Sequence, residues 1–172
     1  MKPPRRRRTQ RSSSPIEITV ENCQRRTPLS EKKLAQSVAR ILGLLGWNRV
    51  RLGVRVVTDA QIQKLHRRFL GEDSVTDVLA FSQMEGKTFP QKGTPFLGDV
   101  VVSIETARRA APEFGNRWDE ELLFYLCHGV LHLMGYRDSS PAKRALMHKK
   151  QETLLKKALG KLWRSKKRKL LF

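Results

Sequence analysis

Apolar residues recur along the first half of the chain at two spacings, which predict different elements. Residues 16–20 and 50–56 alternate apolar and polar positions, which is typical of strands with one buried face. Between them, apolar residues follow Ser30 at helical spacing as far as Gly46, and serine is a residue type that caps helix starts. Residues 59–71 predict a second helix that ends at a glycine. The first four elements therefore have the order β-α-β-α.

Two further strands are predicted in the middle of the chain. Residues 76–82 and 97–104 are short, mostly apolar segments, and the loop between them contains several Gly and Pro turn signals. A short helix is expected from Glu105, and Pro112 should limit or kink it because proline cannot donate the helical hydrogen bond. Consecutive strands after an alternating start favour a mixed sheet.

The last two predicted elements are helices. Residues 119–134 are apolar on most sides, so we expect this helix to be largely buried. Ser140 caps a final helix that has Pro141 at its first position and runs to about residue 159. The pattern as a whole predicts one α+β domain, in which a small mixed four-stranded sheet is covered by about five helices.

Positive charge is concentrated at the two ends of the chain. The 172 residues carry a formal net charge of +19; residues 1–15 contain six Lys or Arg and residues 156–172 contain eight, with no acid in either segment. We therefore predict a disordered basic tail over 1–15, a globular domain over 16–158 and a basic C-terminal tail over 159–172. Such ends favour a polyanionic partner, RNA or DNA, over the alternative of solvated tails that only aid solubility.

Neither a membrane nor a secretory destination is indicated. No segment approaches the ~20 apolar residues of a membrane span, and the charged N-terminus lacks the apolar stretch of a signal peptide. Two cysteines, Cys23 and Cys127, do not suggest a disulfide framework, so a reducing, cytoplasmic location is expected. Cys127 is interpreted as a small core residue and not as a metal ligand.

The candidate chemistry lies in the run H-x-x-x-H-x-x-G-x-x-D. His128 and His132 are four residues apart, so both imidazoles lie on one helix face and can reach one metal ion. Gly135 can end the helix in a left-handed turn, after which Asp138 could supply a third ligand. Three protein ligands leave one position open, as in catalytic zinc sites. The alternative is a chance histidine pair, but histidines buried among apolar neighbours need partners.

The residue after the first histidine weighs against peptide hydrolysis. Zinc proteases with the pattern H-E-x-x-H use the glutamate as general base, whereas this chain has Gly129, which could instead open space beside the metal. A zinc metalloprotease therefore stays open only as an alternative. Two predicted strands also contain acidic residues, Asp77 and Asp99, for which a capping or ion-pairing role is favoured.

Three segments resemble the signatures of one family, the YbeY endoribonucleases, which are bacterial rRNA maturation factors. Residues 128–136, HGVLHLMGY, are similar to the family's H-G-x-L-H-L-x-G-Y-D-H. Residues 76–81, TDVLAF, and 97–103, LGDVVVS, are similar to its T-D-V-L-S-F and L-G-D-I-V-I-S strands. The resemblance covers roughly residues 16–158 and implies a YbeY-like fold.

The resemblance implies a single-strand-specific endoribonuclease that acts in maturation of the 16S rRNA 3′ end and in ribosome quality control. Its partners would be single-stranded RNA, rRNA and the small ribosomal subunit, and the oligomeric state is left open. One Zn²⁺ per chain, held by His128, His132 and Asp138, would activate a water for phosphodiester hydrolysis. His128 and Arg137 are the predicted catalytic residues, with Arg137 steadying charge on the phosphate.

Two positions depart from the family pattern. The family's third ligand is a histidine, whereas this chain has Asp138, whose charge should make the site less electrophilic. Many members have an arginine where this chain has Leu70, and Arg67 or Arg68 could supply that charge from one turn earlier. The first change keeps a second alternative open, a non-catalytic ribosome-binding factor with a structural metal.

Overall fold

The computed structural model describes residues 16–84 and 93–160. The strands in these ranges are β1 (Ile16–Asn22), β2 (Val50–Val57), β3 (Val78–Ser82) and β4 (Phe96–Ser103). The helices are α1 (Glu31–Leu44), α2 (Asp59–Leu70), α3 (Ile104–Phe114), α4 (Trp118–Leu133) and α5 (Pro141–Leu159). The predicted basic tails, 1–15 and 159–172, lie outside the described residues except for Leu159 and Gly160.

The strands form one mixed sheet in the order β1-β2-β4-β3. Strands β1, β2 and β4 are parallel neighbours, and such pairs need long crossover connections, which α1 supplies between β1 and β2. Strand β3 instead runs antiparallel to β4. The prediction of one α+β domain, with a mixed four-stranded sheet and five helices, is confirmed.

The main core lies between one face of the sheet and three helices. Helix α1 packs on β1, α4 packs on β3 and β4, and α5 packs against both helices. Because α4 is enclosed on most sides, its apolar residues are buried around the whole helix, and Cys127 is confirmed as a core residue. On the opposite face α2 covers a smaller apolar cluster. None of the helices in the described ranges, α4 included, is both long and apolar enough to cross a membrane.

Most helix ends occur at the residues that predicted them. The hydroxyl of Ser30 accepts the N–H of Lys33 at the start of α1, and the hydroxyl of Ser140 accepts the N–H of Lys143 at the start of α5. Helix α2 ends at Gly71, whose φ of 74° is a left-handed conformation that glycine adopts without strain. Local side-chain chemistry therefore sets where these helices begin and end.

Helix α3 continues past the proline that was expected to limit or kink it. Pro112 lies inside the helix, which ends only at Gly115 in a left-handed conformation. A proline in the last turn removes a single helical hydrogen bond. The end of the helix is closed instead by the N–H of Gly115 on the carbonyl of Pro112 and by the N–H of Asn116 on the carbonyl of Ala111.

Candidate metal centre

The two histidines of the motif lie side by side at the C-terminal end of α4. Their four-residue spacing places both rings on one face, with centroids 4.6 Å apart and planes at 80°. The Nε2 atom of His128 is 3.0 Å from the Nε2 atom of His132. Each side chain is about a quarter exposed, so the pair is accessible from solvent.

A tight turn after α4 brings the third predicted ligand back toward the histidines. Gly135 has a φ of 86°, and its N–H donates to the carbonyl of His132. The N–H of Tyr136 donates to the carbonyl of Leu131, which completes the paired hydrogen bonds of a Schellman motif. As a result, Oδ2 of Asp138 lies 3.7 Å from Nε2 of His132 and 3.9 Å from Nε2 of His128.

The Nδ1 atom of each imidazole contacts an oxygen acceptor. Nδ1 of His132 lies 3.1 Å from the carbonyl oxygen of Tyr136, and Nδ1 of His128 lies 3.3 Å from Oε1 of Gln151. The amide nitrogen of Gln151 donates to the carbonyl of Phe124, so its oxygen is the atom turned toward His128. Since both acceptors lack a proton, these contacts favour the tautomer with the hydrogen on Nδ1, in which each Nε2 presents its lone pair.

The arrangement of donor atoms fits a divalent cation. Two Nε2 lone pairs and one carboxylate oxygen, all within 4.8 Å of one another, would repel each other without a positive charge between them. Two nitrogen ligands at ~2.0–2.1 Å from a tetrahedral zinc lie about 3.4 Å apart, close to the separation of the two Nε2 atoms. His128, His132 and Asp138 could therefore hold one metal ion, and the structure brings all three predicted ligands together.

The electrostatics of the pair favour neutral imidazole, the form that binds metals. Burial lowers the pKa of His132 below its ordinary value, and the neighbouring His128 lowers it further. The carboxylate of Asp138 acts in the opposite direction, but the net shift of the pKa is downward. His132 is therefore uncharged at pH 7, with its lone pair available.

Gly129 lines a small cavity together with His128, His132 and Asp138, as the sequence suggests, and it also lies close against the sheet. A Cβ atom at this position would lie 2.5 Å from Cγ1 of Val100 and 3.1 Å from Cγ2 of Val78. Glycine is therefore needed because α4 approaches β3 and β4 closely. A glutamate in its place, the general base of the H-E-x-x-H proteases, would require Val100 and Val78 to shift.

A large open cavity adjoins the centre. It has a volume of about 700 Å³, and its lining includes His132, Arg137 and Leu70. Arg137 is exposed, and its Nη1 donates to the carbonyl of His132 at 3.4 Å.

The two arginines expected to replace the charge missing at Leu70 do not line the cavity. Arg67 is 3.7 Å from the carboxylate of Asp73, and Arg68 lies over the ring of Phe69. Among the described residues, Arg137 is the arginine that borders the cavity and also contacts a predicted metal ligand, His132.

Sequence reasoning missed two residues next to the histidines. Asp77, expected to cap or pair, lines a small cavity of about 200 Å³ together with His128, His132 and Asp138. Burial raises the pKa of its carboxyl, as does the nearby Glu121. Gln151 was not singled out, although it occupies a buried position in the apolar stripe of α5. The sequence signal that could have identified Gln151 as buried is its helical spacing from the apolar residues of that stripe.

The chain is similar to known proteins over most of its length. The family model described as Endoribonuclease YbeY matches residues 19–159. Endoribonuclease YbeY of Syntrophus aciditrophicus is 32% identical over 139 residues, which are 80% of this chain and 86% of that protein. Endoribonuclease YbeY of Synechococcus sp. is 39% identical over 126 residues, which are 73% of this chain and 79% of that protein.

A solved structure has the same fold. The solution structure of TM1509 from Thermotoga maritima matches with a TM-score of 0.54 and 26% sequence identity, covering 84% of this chain and 89% of that one. The family match runs from within β1 to the end of α5 and includes the histidine motif. The family model matches most of the chain, and relatives are more than 30% identical along most of their length. The chain therefore belongs to the YbeY endoribonuclease family.

Proposed function

We propose that this chain is a metal-dependent endoribonuclease that hydrolyses single-stranded RNA at the centre formed by His128, His132 and Asp138. One observation carries the proposal: two imidazole Nε2 atoms, 3.0 Å apart, converge with the Asp138 carboxylate beside a cavity bordered by Arg137. The family, Endoribonuclease YbeY, supplies the reaction class. The geometry supplies the residues that would perform it.

The proposed metal is zinc, with one ion per chain. Two imidazoles and one carboxylate are a ligand set that zinc uses in hydrolytic enzymes. When bound, zinc supplies Lewis acidity and lowers the pKa of a water molecule toward neutrality. His128 and His132 contribute neutral nitrogen ligands whose orientation is set by Gln151 and by the carbonyl of Tyr136.

Arg137 is proposed as the residue that binds the phosphate of the scissile bond. Its guanidinium borders the cavity, and the hydrogen bond from Nη1 to the carbonyl of His132 keeps it near the ligands. A guanidinium presents a fork of N–H donors that matches two phosphate oxygens, and its positive charge stabilises the charge that develops during hydrolysis. Arg137 therefore positions the phosphodiester against the metal centre.

The carboxylate of Asp138 has a predictable effect on the site. A negatively charged ligand reduces the net positive charge left at the centre. We expect the centre to polarise phosphate less than a centre with three imidazoles. The hydrolytic rate should be correspondingly lower.

The biological substrate that we propose is the rRNA of the small ribosomal subunit, at the 3′ end of the 16S species. The family resemblance is the support for this choice and for a role in ribosome quality control in the cytoplasm. The formal net charge of +19 suits a polyanionic partner. Contacts between Lys or Arg and phosphates would raise affinity in a salt-dependent way without reading sequence.

The test combines elemental analysis with RNA cleavage on the purified chain. Wild type should contain about one zinc per chain and should cut a single-stranded RNA oligonucleotide. Asp138→Ala and His132→Ala should lose both metal and cleavage, whereas His66→Gln should keep both. His66 is a suitable control because it is a buried histidine with its own partners, the carbonyl of Ser74 and the carboxylate of Glu72.

Three outcomes would contradict the proposal. Equal cleavage by wild type and His132→Ala would identify a contaminating nuclease. Chelator-sensitive turnover of a casein-type substrate, without RNA cleavage, would favour the metalloprotease alternative. Association with ribosomes that survives loss of metal, without RNA cleavage under any condition, would favour the non-catalytic binding factor.

A further inference from the structure

The cavity beside the metal centre has walls from parts of the chain that are far apart in sequence. Trp47 comes from the connection between α1 and β2, Leu70 from the end of α2, Met84 from the residues after β3, and Met134 from the turn after α4. His132 belongs to the same lining. The cavity is therefore continuous with the centre where RNA would be cut.

The walls are suited to a flat apolar group. An indole, a leucine and two methionine side chains face a volume of about 700 Å³, which is in the range of ligand pockets. Leu70 is 61% exposed, so its apolar side chain can be covered by a ligand. Ser82 adds a polar group, since its oxygen accepts the N–H of Met84 and its own proton can be donated to a ligand.

The charge at the cavity favours binding of an anion that carries a flat apolar group. Among the described residues of the lining there is no Asp or Glu, while Arg137 is at the border nearest His132. A nucleotide has this combination, a phosphate joined to a flat base. With its phosphate on Arg137, the attached base would lie toward the apolar walls, because Arg137 shares the cavity lining with them.

We infer that the cavity is a pocket for one unstacked nucleobase next to the scissile phosphate, and that this pocket imposes the requirement for single-stranded RNA. The inference rests on the proposed function and adds a specificity site to it. A base in a duplex is stacked and paired, and withdrawing it has an energetic cost. A base in a single strand enters the pocket without that cost, and stacking on an aromatic ring such as Trp47 is tolerant of base identity.

The experiment measures binding of RNA to the full chain, as purified with its metal, by fluorescence anisotropy. The probe is a short phosphorothioate-linked RNA that resists hydrolysis, so binding is read apart from cleavage. It is used as a single strand, as a duplex, and as a series in which one abasic nucleotide is moved along the strand. We expect the single strand to bind more tightly than the duplex, and one abasic position to weaken binding about 5–100-fold.

Variants connect that abasic position to the cavity. Leu70→Ser should weaken binding of the intact strand, and the sensitive abasic position should lose its effect in this variant because the base no longer has its wall. Leu44→Ser is the matched control, since Leu44 is 40% exposed and does not line the cavity. Trp47→Leu should weaken binding in the same way as Leu70→Ser. If Trp47→Leu does not fold, the result for Leu70→Ser tests the pocket by itself.

A spectroscopic readout reports on the pocket directly. The chain has three tryptophans, so the double variant with Trp118→Phe and Trp163→Phe leaves Trp47 as the fluorophore. Single-stranded RNA should quench its emission, and the abasic strand should not. Equal binding of duplex and single strand, with no effect of Leu70→Ser or of any abasic position, would overturn the pocket even if RNA is cleaved. Base-dependent binding without cleavage would support the pocket and count against the proposed hydrolysis.

Discussion

The amide of Gln151 on α5 orients the ring of His128 on α4. Oε1 of Gln151 lies 3.3 Å from Nδ1 of His128, while its amide nitrogen donates to the carbonyl of Phe124 at 2.8 Å. Gln151 is completely buried. Because water cannot replace this acceptor, the direction of the His128 lone pair depends on how α5 packs against α4.

We expect Gln151→Leu to weaken metal binding about 10–100-fold, because His128 would lose the acceptor that holds its Nδ1 proton. The measurement is a metal-binding titration against a competing chelator. Leu155→Ala on the same helix is the control. It removes buried apolar contacts and should cost about 2–5 kcal/mol of stability, while the Gln151 acceptor of His128 is kept. Equal loss of affinity in both variants would show that general destabilisation, and not ring orientation, is responsible.

Gly129→Ala should destabilise the protein. The added Cβ would meet Cγ1 of Val100 at 2.5 Å, and overpacking of this kind costs about 1–3 kcal/mol. Gly43→Ala is the matched helical glycine, because nothing lies within 4 Å of its added Cβ, and it should stabilise by about 0.5–1 kcal/mol. Chemical denaturation measures both free energies of unfolding. Similar values for the two variants would mean that α4 does not approach the sheet this closely.

The carboxyl of Asp77 should make stability depend on pH. Burial raises its pKa above the ordinary value of 3.8, so the folded state favours the protonated form. The stability that this group contributes is present below the unfolded pKa and is lost as the pH rises through the folded pKa. Asp77→Asn removes that loss, and we expect its Tm at pH 7 to exceed that of wild type.

The Asp77→Asn comparison is made by thermal unfolding of metal-free protein from pH 3 to pH 8, because a bound cation would itself favour the carboxylate. The difference in Tm should shrink as the pH falls through the folded pKa and should be absent below the unfolded pKa of 3.8. A variant that is less stable than wild type at pH 7 would show that the ionised carboxylate is stabilised by its hydrogen bonds more than burial penalises it.

The two cysteines should react very differently with a thiol reagent. Burial raises the pKa of Cys127 to about 12, so that about one thiol in 10⁴ is ionised at pH 8. Cys23 is partly exposed, although burial and Glu21 also raise its pKa. We expect one thiol to be modified in the folded protein and two after unfolding in guanidinium. Rapid modification of both in the folded protein would contradict the burial of α4.

Lys143 should contribute to RNA binding. It lines a cavity of about 350 Å³ with Tyr136, Arg137 and Leu146. Lys143→Glu should weaken binding of RNA at all sequences and reduce the slope of log K against log salt by about one. Lys157→Glu makes the same charge change on α5, ~21 Å further along the helix by its rise per residue, and should have a smaller effect on a short oligonucleotide. Equal effects would indicate only a general loss of positive charge.

Several features of the centre could be predicted because they depend on neighbours within one or two turns. The spacing of His128 and His132 places them on one face of any helix, and the left-handed preference of glycine at Gly135 turns the chain back. The same kind of interaction sets the helix starts at Ser30 and Ser140. Such features need only the backbone geometry of a few consecutive residues.

The sequence by itself thus determined the order of strands and helices and the pairing of the two histidines. Tertiary structure alone decided that Gln151 faces His128, that Gly129 faces Val100, and that Asp77 lines the histidine cavity. Each of these contacts joins residues more than 20 positions apart, and each depends on the angle and distance at which α4 packs against α5 or the sheet. Hydrophobic periodicity shows which face of an element is buried, but burial is not directional and does not specify which partner residue lies opposite.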